Sequence, residues 1–364
     1  MRAPVSQKTL VKPTLRHVAK LAGVSASTVS LVMLDKGSIP QETRTRVKKV
    51  IDQVGYTPLR SRRSEVRDGP VALIIEDLGN PYYVELFDAV DKFVGARGLV
   101  TILISTRESV DRQAALLKNL KNLRCSGALL VPADGSGTET LEAIVANHDL
   151  PVVLGVRHLG FGTFDYVGPN YFLGMQMATR HLLELGHRRI AFVGGLPHNT
   201  AYAERLGGFR MSIESFQGGK VEVIEKPGPP TSEFGAKAMT ELLQLTTRPT
   251  AIIGYNDVLS FGVMAAVRDL GLAIGRDIAL VGFDDIRASA QPNVSLTTVS
   301  TPPSRIGEEM ARLLVARIEN PDASAVNIIP PPVLKIRHTC GSYGRGQVRD
   351  TLPRSNLAST LVWP

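Results

Sequence analysis

Two polar pairs stand where an α/β protein can use them. Asn256-Asp257 follows the apolar run AIIGY (251–255), and Asp284-Asp285 follows IALVGF (278–283). Open α/β sheets gather ligands at the carboxyl ends of their strands, so both pairs are candidate ligand contacts. Each also has a structural reading, with Asp257 capping its own helix and Asp285 capping the next turn. His187, in LGHRR, could move a proton, but Gly186 ends the helix before it and points to a helix-terminus histidine. Catalytic signatures are otherwise missing: GxxxxGK[ST], GxGxxG, GxSxG and HExxH do not occur. Cys125 and Cys340 lie far apart and offer neither a disulfide framework nor zinc spacing, so neither metal nor other cofactor is expected, and a reducing, cytoplasmic setting fits.

A second chemistry lies in the distribution of charge. The net charge is +8 over 364 residues. Residues 1–67 hold 14 Lys+Arg against 4 Asp+Glu, a balance of +10, and the remainder comes to −2. The whole basic excess therefore sits in the first fifth of the chain, where it can meet phosphates. No run approaches the roughly 18 apolar residues of a membrane span, and Val24–Leu34 lacks the cleavage site of a secretory signal.

Distinct elements must position these groups. Thr14 can cap a helix through Ala22, Gly23 supplies a tight turn, and Ser25 can cap a second helix to about Leu34. Pro40 opens a third over 41–54, with Val47, Val50, Ile51 and Val54 facing inward. Two short helices meeting at a glycine, followed by a basic helix, describe a helix-turn-helix whose second helix enters a major groove. Residues 57–70, TPLRSRRSEVRDGP, carry four arginines between Pro and Gly and read as a linker.

Beyond the linker, apolar runs of strand length alternate with amphipathic helices: VALII (71–75), VTILI (100–104), ALLVP (128–132), PVVLGV (151–156), then IAFVGG (190–195), VEVIE (221–225), AIIGY and IALVGF. Strict alternation predicts two doubly wound parallel sheets, an α/β pair of lobes. A last helix over 305–318 and the strand-like VLKIRH (333–338) follow the second set, so the chain is expected to cross between lobes more than once. The predicted organisation is a disordered basic arm over 1–12, a helix-turn-helix domain over 13–58, a hinge linker over 59–70, a ligand-binding unit over 71–341 and a disordered tail over 342–364.

At this point a family becomes visible. TLRHVAKLAGVSASTVSLVM and QETRTRVKKVIDQVGYTP closely resemble the DNA-binding domain of the lac/gal repressor family of bacterial regulators. NPYYVEL (80–86), ELGHRRIAFVGG (184–195), AERLGGFR (203–210), YNDVLSFG (255–262) and LVGFDD (280–285) continue the likeness in the expected order. The variant TVSLVM…KGSI, with STPPSRIG (300–307) and IIPPP (328–332), is similar to the maltose-regulon repressor branch.

The resemblance implies a homodimeric repressor that binds a pseudo-palindromic double-stranded DNA operator, with the two-lobed fold of periplasmic sugar-binding proteins and a small, sugar-like effector in the cleft. It places base contacts at Ala26, Ser27 and Leu31, and phosphate contacts at Thr14, Ser25, Thr28 and Ser30 with Arg44 or Arg46 nearby. Ala26 offers a methyl contact and Ser27 a hydroxyl of little discrimination. Many members carry Arg where this chain has Leu31.

In the family the linker wedges a Leu into the minor groove, a position that here falls on Glu65, which the groove's phosphates repel. Arg60, Arg62 and Arg63 are then expected to hold the backbone or a narrow minor groove, with weaker bending. For the effector, the resemblance implies hydrogen bonds from Arg205, Asn256 and Asp284 and stacking by Tyr82 or Tyr83. Gly155-Val156-Arg157 stands where the family often has an Asp, so one sugar acceptor is missing. The rival expectation is a solute-binding protein or sugar-processing enzyme sharing only the lobes, and a signal peptide or catalytic constellation would mark it.

Overall fold

The computed structural model describes residues 15–33, 37, 39–54, 69–148, 150–160 and 162–342. The chain divides into two compact units at Gly69–Pro70. The smaller holds three helices: α1 (Leu15–Ala22), α2 (Ala26–Met33) and α3 (Gln41–Val54). Gly23 adopts φ +66°, a left-handed turn that glycine makes without steric cost. Val18, Ala22, Val29, Val32 and Val47 are all but fully buried in one core, with Val50, Ile51 and Val54 packed at its edge.

The larger unit carries two six-stranded sheets. In the N-terminal lobe these are β1 (Val71–Ile75), β2 (Thr101–Ser105), β3 (Gly127–Leu130), β4 (Val152–Gly155) and β5 (Asp165–Val167), wound by α4 (Pro81–Gly95), α5 (Val110–Asn119) and α6 (Thr138–His148). The C-terminal lobe holds α7 (Tyr171–Glu184), β6 (Arg189–Val193), α8 (Thr200–Glu214), β7 (Glu222–Lys226), α9 (Ser232–Leu243), β8 (Ala251–Gly254), α10 (Asp257–Asp269), β9 (Ala279–Asp284) and β10 (Thr297–Ser300). The chain then returns to the first lobe as α11 (Pro303–Glu319) and β11 (Asn327–Ile328), and ends in the second as β12 (Val333–Lys335).

The sheet orders are β11-β5-β4-β3-β1-β2 and β12-β10-β9-β8-β6-β7, parallel throughout except that β12 runs antiparallel to β10. Three crossings, at 168–170, 301–302 and 329–332, therefore join the lobes. β1 shows why its sequence reads as an unbroken apolar run: Val71, Leu73 and Ile75 enter one core cluster, while Ala72 and Ile74 enter another on the opposite face.

The short strands β5, β10 and β11 have no counterpart among the apolar runs of the sequence. β10, TTVS, has little apolar character, yet it is buried because neighbouring groups satisfy its threonines: Thr298 Oγ1 donates to Asp257 Oδ1 at 2.6 Å, and the Thr297 N–H donates to Thr339 Oγ1 at 2.8 Å. β5 and β11 are held side by side by Asp165, which accepts from Arg317 at 2.8 and 2.9 Å and from the Val326 N–H at 2.8 Å. Polar pairing of this kind leaves no hydrophobic period to read.

Candidate functional site

The smaller unit presents α2 as its candidate nucleic-acid surface. The Ser25 hydroxyl accepts from the Thr28 N–H at 3.0 Å and lies 2.8 Å from the Thr28 hydroxyl, so Ser25 caps α2. Ser25 and Ser27 are exposed, Ala26, Thr28 and Ser30 are half-buried, and Leu31 is 40% exposed. Arg44 donates to the carbonyls of Gly37 at 2.9 Å and Ile39 at 3.3 Å and so fastens the turn before α3; Arg46 is exposed. Thr14, Arg60, Arg62, Arg63 and Glu65 lie outside the described residues.

In the larger unit, the carboxyl ends of the two sheets approach one another, with Asp284 at the end of β9 within electrostatic reach of Glu76 just after β1. Arg205, on α8, is 3% exposed. Its guanidinium carbon lies 3.9 Å from the Tyr171 ring centre, 4.2 Å from Tyr255 and 4.5 Å from Phe283. Rings on several sides fix the guanidinium plane. One nitrogen faces Asp284 Oδ1 at 3.5 Å, and Nε has no hydrogen-bond partner among the described residues. Burial pushes the Asp284 carboxyl well above the usual range despite Arg205, and Asp257 and Glu76 push it further.

Gly195, at φ +86°, allows this crowding: a Cβ there would sit 2.5 Å from the rings of both Tyr202 and Tyr255. Asp284 itself adopts φ +112° and Asp285 φ +58°. Left-handed carboxylates at a strand end are costly unless the surroundings hold them.

The other wall belongs to the first lobe. Tyr82 and Tyr83, on α4, are both buried, with rings edge to face at 5.4 Å. The Tyr83 hydroxyl donates to Glu76 Oε1, and the Tyr82 hydroxyl faces Thr301 without completing a hydrogen bond. Tyr83 is thus tied to Glu76, while the Tyr82 hydroxyl has no hydrogen-bond partner among the described residues. Arg157 donates to Glu108 at 2.8 and 3.0 Å and lies 3.3 Å from Glu76 Oε1. Sequence reasoning missed Glu76 and Glu108. The signal available for Glu76 was its place directly after β1, the criterion that picked out Asp284.

Three expected roles change. Asn256, not Asp257, caps α10, accepting from the Leu259 N–H at 2.9 Å, so its carbonyl oxygen is already engaged. Asp257 instead accepts from the Ile286 N–H at 3.0 Å and the Ser289 hydroxyl at 2.6 Å as well as from Thr298, tying the loop after β9 to its sheet. Asp285 pairs with Arg337 at 2.6 Å and caps no turn. His187 meets Thr250 at 3.0 Å beyond the end of α7, the structural place expected of it.

The lobes also touch at the rims. Arg287, after β9, donates its N–H to Glu85 at 2.9 Å and lies 3.6 Å from Asp88, both on α4. At the hinge side His158 and Glu204 meet at 2.8 Å, bordering a cavity of about 150 Å³ lined also by Tyr166, Pro169, Phe172 and Ile329. Among the described residues no helix is long and apolar enough to cross a membrane, and no group of three or more His, Cys, Asp or Glu could hold a metal.

A helix-turn-helix joined to a unit of two α/β lobes defines a DNA-binding transcriptional regulator. Residues 14–59 match the model for bacterial regulatory proteins of the lacI family, and 179–340 match a periplasmic binding protein-like domain. The chain is 32% identical over 325 residues to the HTH-type transcriptional repressor PurR of Proteus mirabilis (strain HI4320), covering 87% of this chain and 94% of that protein. It is 30% identical over 337 residues to the HTH-type transcriptional regulator CelR of Thermobifida fusca, covering 90% and 98%. A solved CelR–cellobiose complex superposes with TM-score 0.66 at 29% identity, covering 90% of this chain and 99% of that one. The chain belongs to the lacI family of bacterial regulatory proteins.

Proposed function

We propose that this regulator is a cytoplasmic homodimeric repressor whose grip on a pseudo-palindromic operator is set by a small, sugar-like effector bound between the lobes. The observation that carries the reading is Arg205, buried against Tyr171, Tyr255 and Phe283 with one donor unfilled and Asp284 opposite. A planar cation and a carboxylate present donors and acceptors together, the arrangement that chelates hydroxyls. Asn256 retains its amide N–H groups for the same ligand.

On the DNA side, Ala26, Ser27 and Leu31 read base edges, while Ser25, Thr28 and Ser30, with Thr14, hold phosphates. Arg60, Arg62 and Arg63 add backbone or minor-groove contacts from the linker. The effector favours one closure state of the lobes and thereby changes how the paired headpieces meet the two half-sites. CelR, one of the relatives, has been solved with cellobiose, and the lac repressor has been solved as a dimer on its operator.

Selection of bound duplexes from random DNA, repeated with cellobiose, glucose and ribose, tests the reading. A palindromic site whose occupancy shifts with one of these sugars and falls steeply with salt supports it. Sequence-independent binding, or a site that no member of the panel perturbs, defeats it.

A further inference from the structure

The Arg205–Asp284 pair has a counterpart on the opposite wall. Glu76 directly follows β1 and is 5% exposed. Its Oε1 takes the Tyr83 hydroxyl and faces Arg157 Nη2 at 3.3 Å, while Oε2 is buried with no hydrogen-bond partner among the described residues. Arg157 is pinned from behind by Glu108 and by the Pro132 carbonyl at 3.3 Å. The backbone that aims these groups is left-handed at Val156 (φ +63°) and Glu108 (φ +56°), conformations a β-branched or long side chain adopts only under constraint. Glu76 lies close enough to the second lobe to raise the pKa of both Asp284 and Tyr255. An unmatched buried carboxylate oxygen is among the costliest features a fold can keep, and a ligand donor relieves it.

We infer that Glu76 reads the effector from the N-terminal lobe: Oε2 accepts a hydroxyl hydrogen of a neutral polyol whose opposite edge is held by Arg205 and Asp284. This rests on the effector cleft described above. Arg157 holds the Glu76 carboxylate in place and is itself matched by Glu108 and Glu76, so this wall offers no free guanidinium to a phosphate or carboxylate. On its own side the Glu76–Arg157 pair thus takes the part of the Asp missing from Gly155-Val156-Arg157 and disfavours anionic ligands.

Calorimetry on the full chain with glucose, ribose, cellobiose and glucose 6-phosphate, followed by 2-deoxy, 3-deoxy and 6-deoxy glucose and 2-deoxyribose, tests the inference. A neutral sugar is expected to bind at least tenfold more tightly than glucose 6-phosphate. Glu76→Gln, which keeps the shape should Glu76→Ala fail to fold, is expected to weaken that sugar about tenfold. One deoxy analogue should bind wild type weakly yet lose nothing further in Glu76→Gln, a coupling that a merely structural residue cannot produce. Equal losses for every analogue, unchanged affinity in Glu76→Gln, or preference for glucose 6-phosphate overturns the inference. If a sugar binds and Arg205→Ala removes it while Glu76→Gln does not, only the role of Glu76 fails. If none of the neutral sugars binds, the sugar-effector reading fails with it.

Discussion

Single side chains in the cleft are held in environments that oppose their charge. Burial raises the Glu76 carboxyl to about 7, against the pull of Arg157 and the Tyr83 hydrogen bond. Burial likewise raises Asp257 to about 7, against hydrogen bonds from Ser289, Thr298 and Ile286. Both groups bind their proton more tightly folded than unfolded, so their contribution to stability is fully present below the ordinary carboxylate range and is lost as pH rises towards 7. The melting temperature of Glu76→Gln should accordingly depend less steeply on pH between about 5 and 7 than that of wild type. Scanning calorimetry across that range checks this, and parallel slopes would count against the buried, proton-holding Glu76.

Asp257 makes the opposite case, a polar residue whose work is structural. Asp257→Ala strands the Ile286 N–H and two hydroxyls in the core. The expected loss is about 3 kcal/mol or more in denaturant unfolding, and a loss below about 1 kcal/mol would show that the three bonds are replaceable.

Among the elements, α2 and the linker are where the sequence departs most from what its family resemblance implies, at Leu31 and Glu65. α2 is eight residues long, too short to persist on propensity alone, and its first turn depends on the Ser25 cap. Ser25→Ala should destabilise that helix by about 1 kcal/mol, read as roughly fivefold faster hydrogen exchange at its first amides in the full chain. Exchange unchanged there would mean the core alone fixes the helix.

The linker calls for a different measurement. Its sequence sets Glu65 where a wedge is expected and surrounds it with arginines, so bending of the operator should be weak and insensitive to Glu65→Ala. Replacing Arg60, Arg62 and Arg63 together by Ala should flatten the dependence of log K on log salt by up to about 0.9 for each phosphate that is no longer neutralised. A strong central kink abolished by Glu65→Ala, seen by gel phasing, would sink this account of the linker.

At the scale of the whole larger unit, the two lobes are joined by buried contacts, such as the Tyr171 hydroxyl on the Val156 carbonyl, and by rim contacts, such as Arg287 with Glu85. Glu85→Ala removes both the Arg287 ion pair and the acceptor of its backbone N–H. Rim contacts of this kind contribute under about 1 kcal/mol, so effector affinity should weaken by about threefold, with the linked factor unchanged between operator and effector. Thermodynamic linkage requires that the factor by which effector alters operator affinity equal the factor by which operator alters effector affinity. Calorimetry with and without operator measures both factors, and unequal values would show that a third state or ligand intervenes.

The sequence by itself determined a good deal: the basic headpiece, the position of its turn at Gly23, the two parallel sheets and the return of the chain between lobes, and it singled out Arg205 and Asp284, which the fold brings to 3.5 Å. These were legible because helix caps, a left-handed glycine and apolar runs of strand length are local signals, and because the family motifs fall in order. Only the tertiary structure decided that Asn256 is the cap and Asp257 the anchor, that Asp285 belongs to Arg337, that β5, β10 and β11 exist, and that Glu76 and Glu108 share Arg157. Each of those depends on which groups meet across tens or hundreds of residues. A buried polar group is satisfied by whatever the fold brings to it, and no periodicity along the chain records that partner.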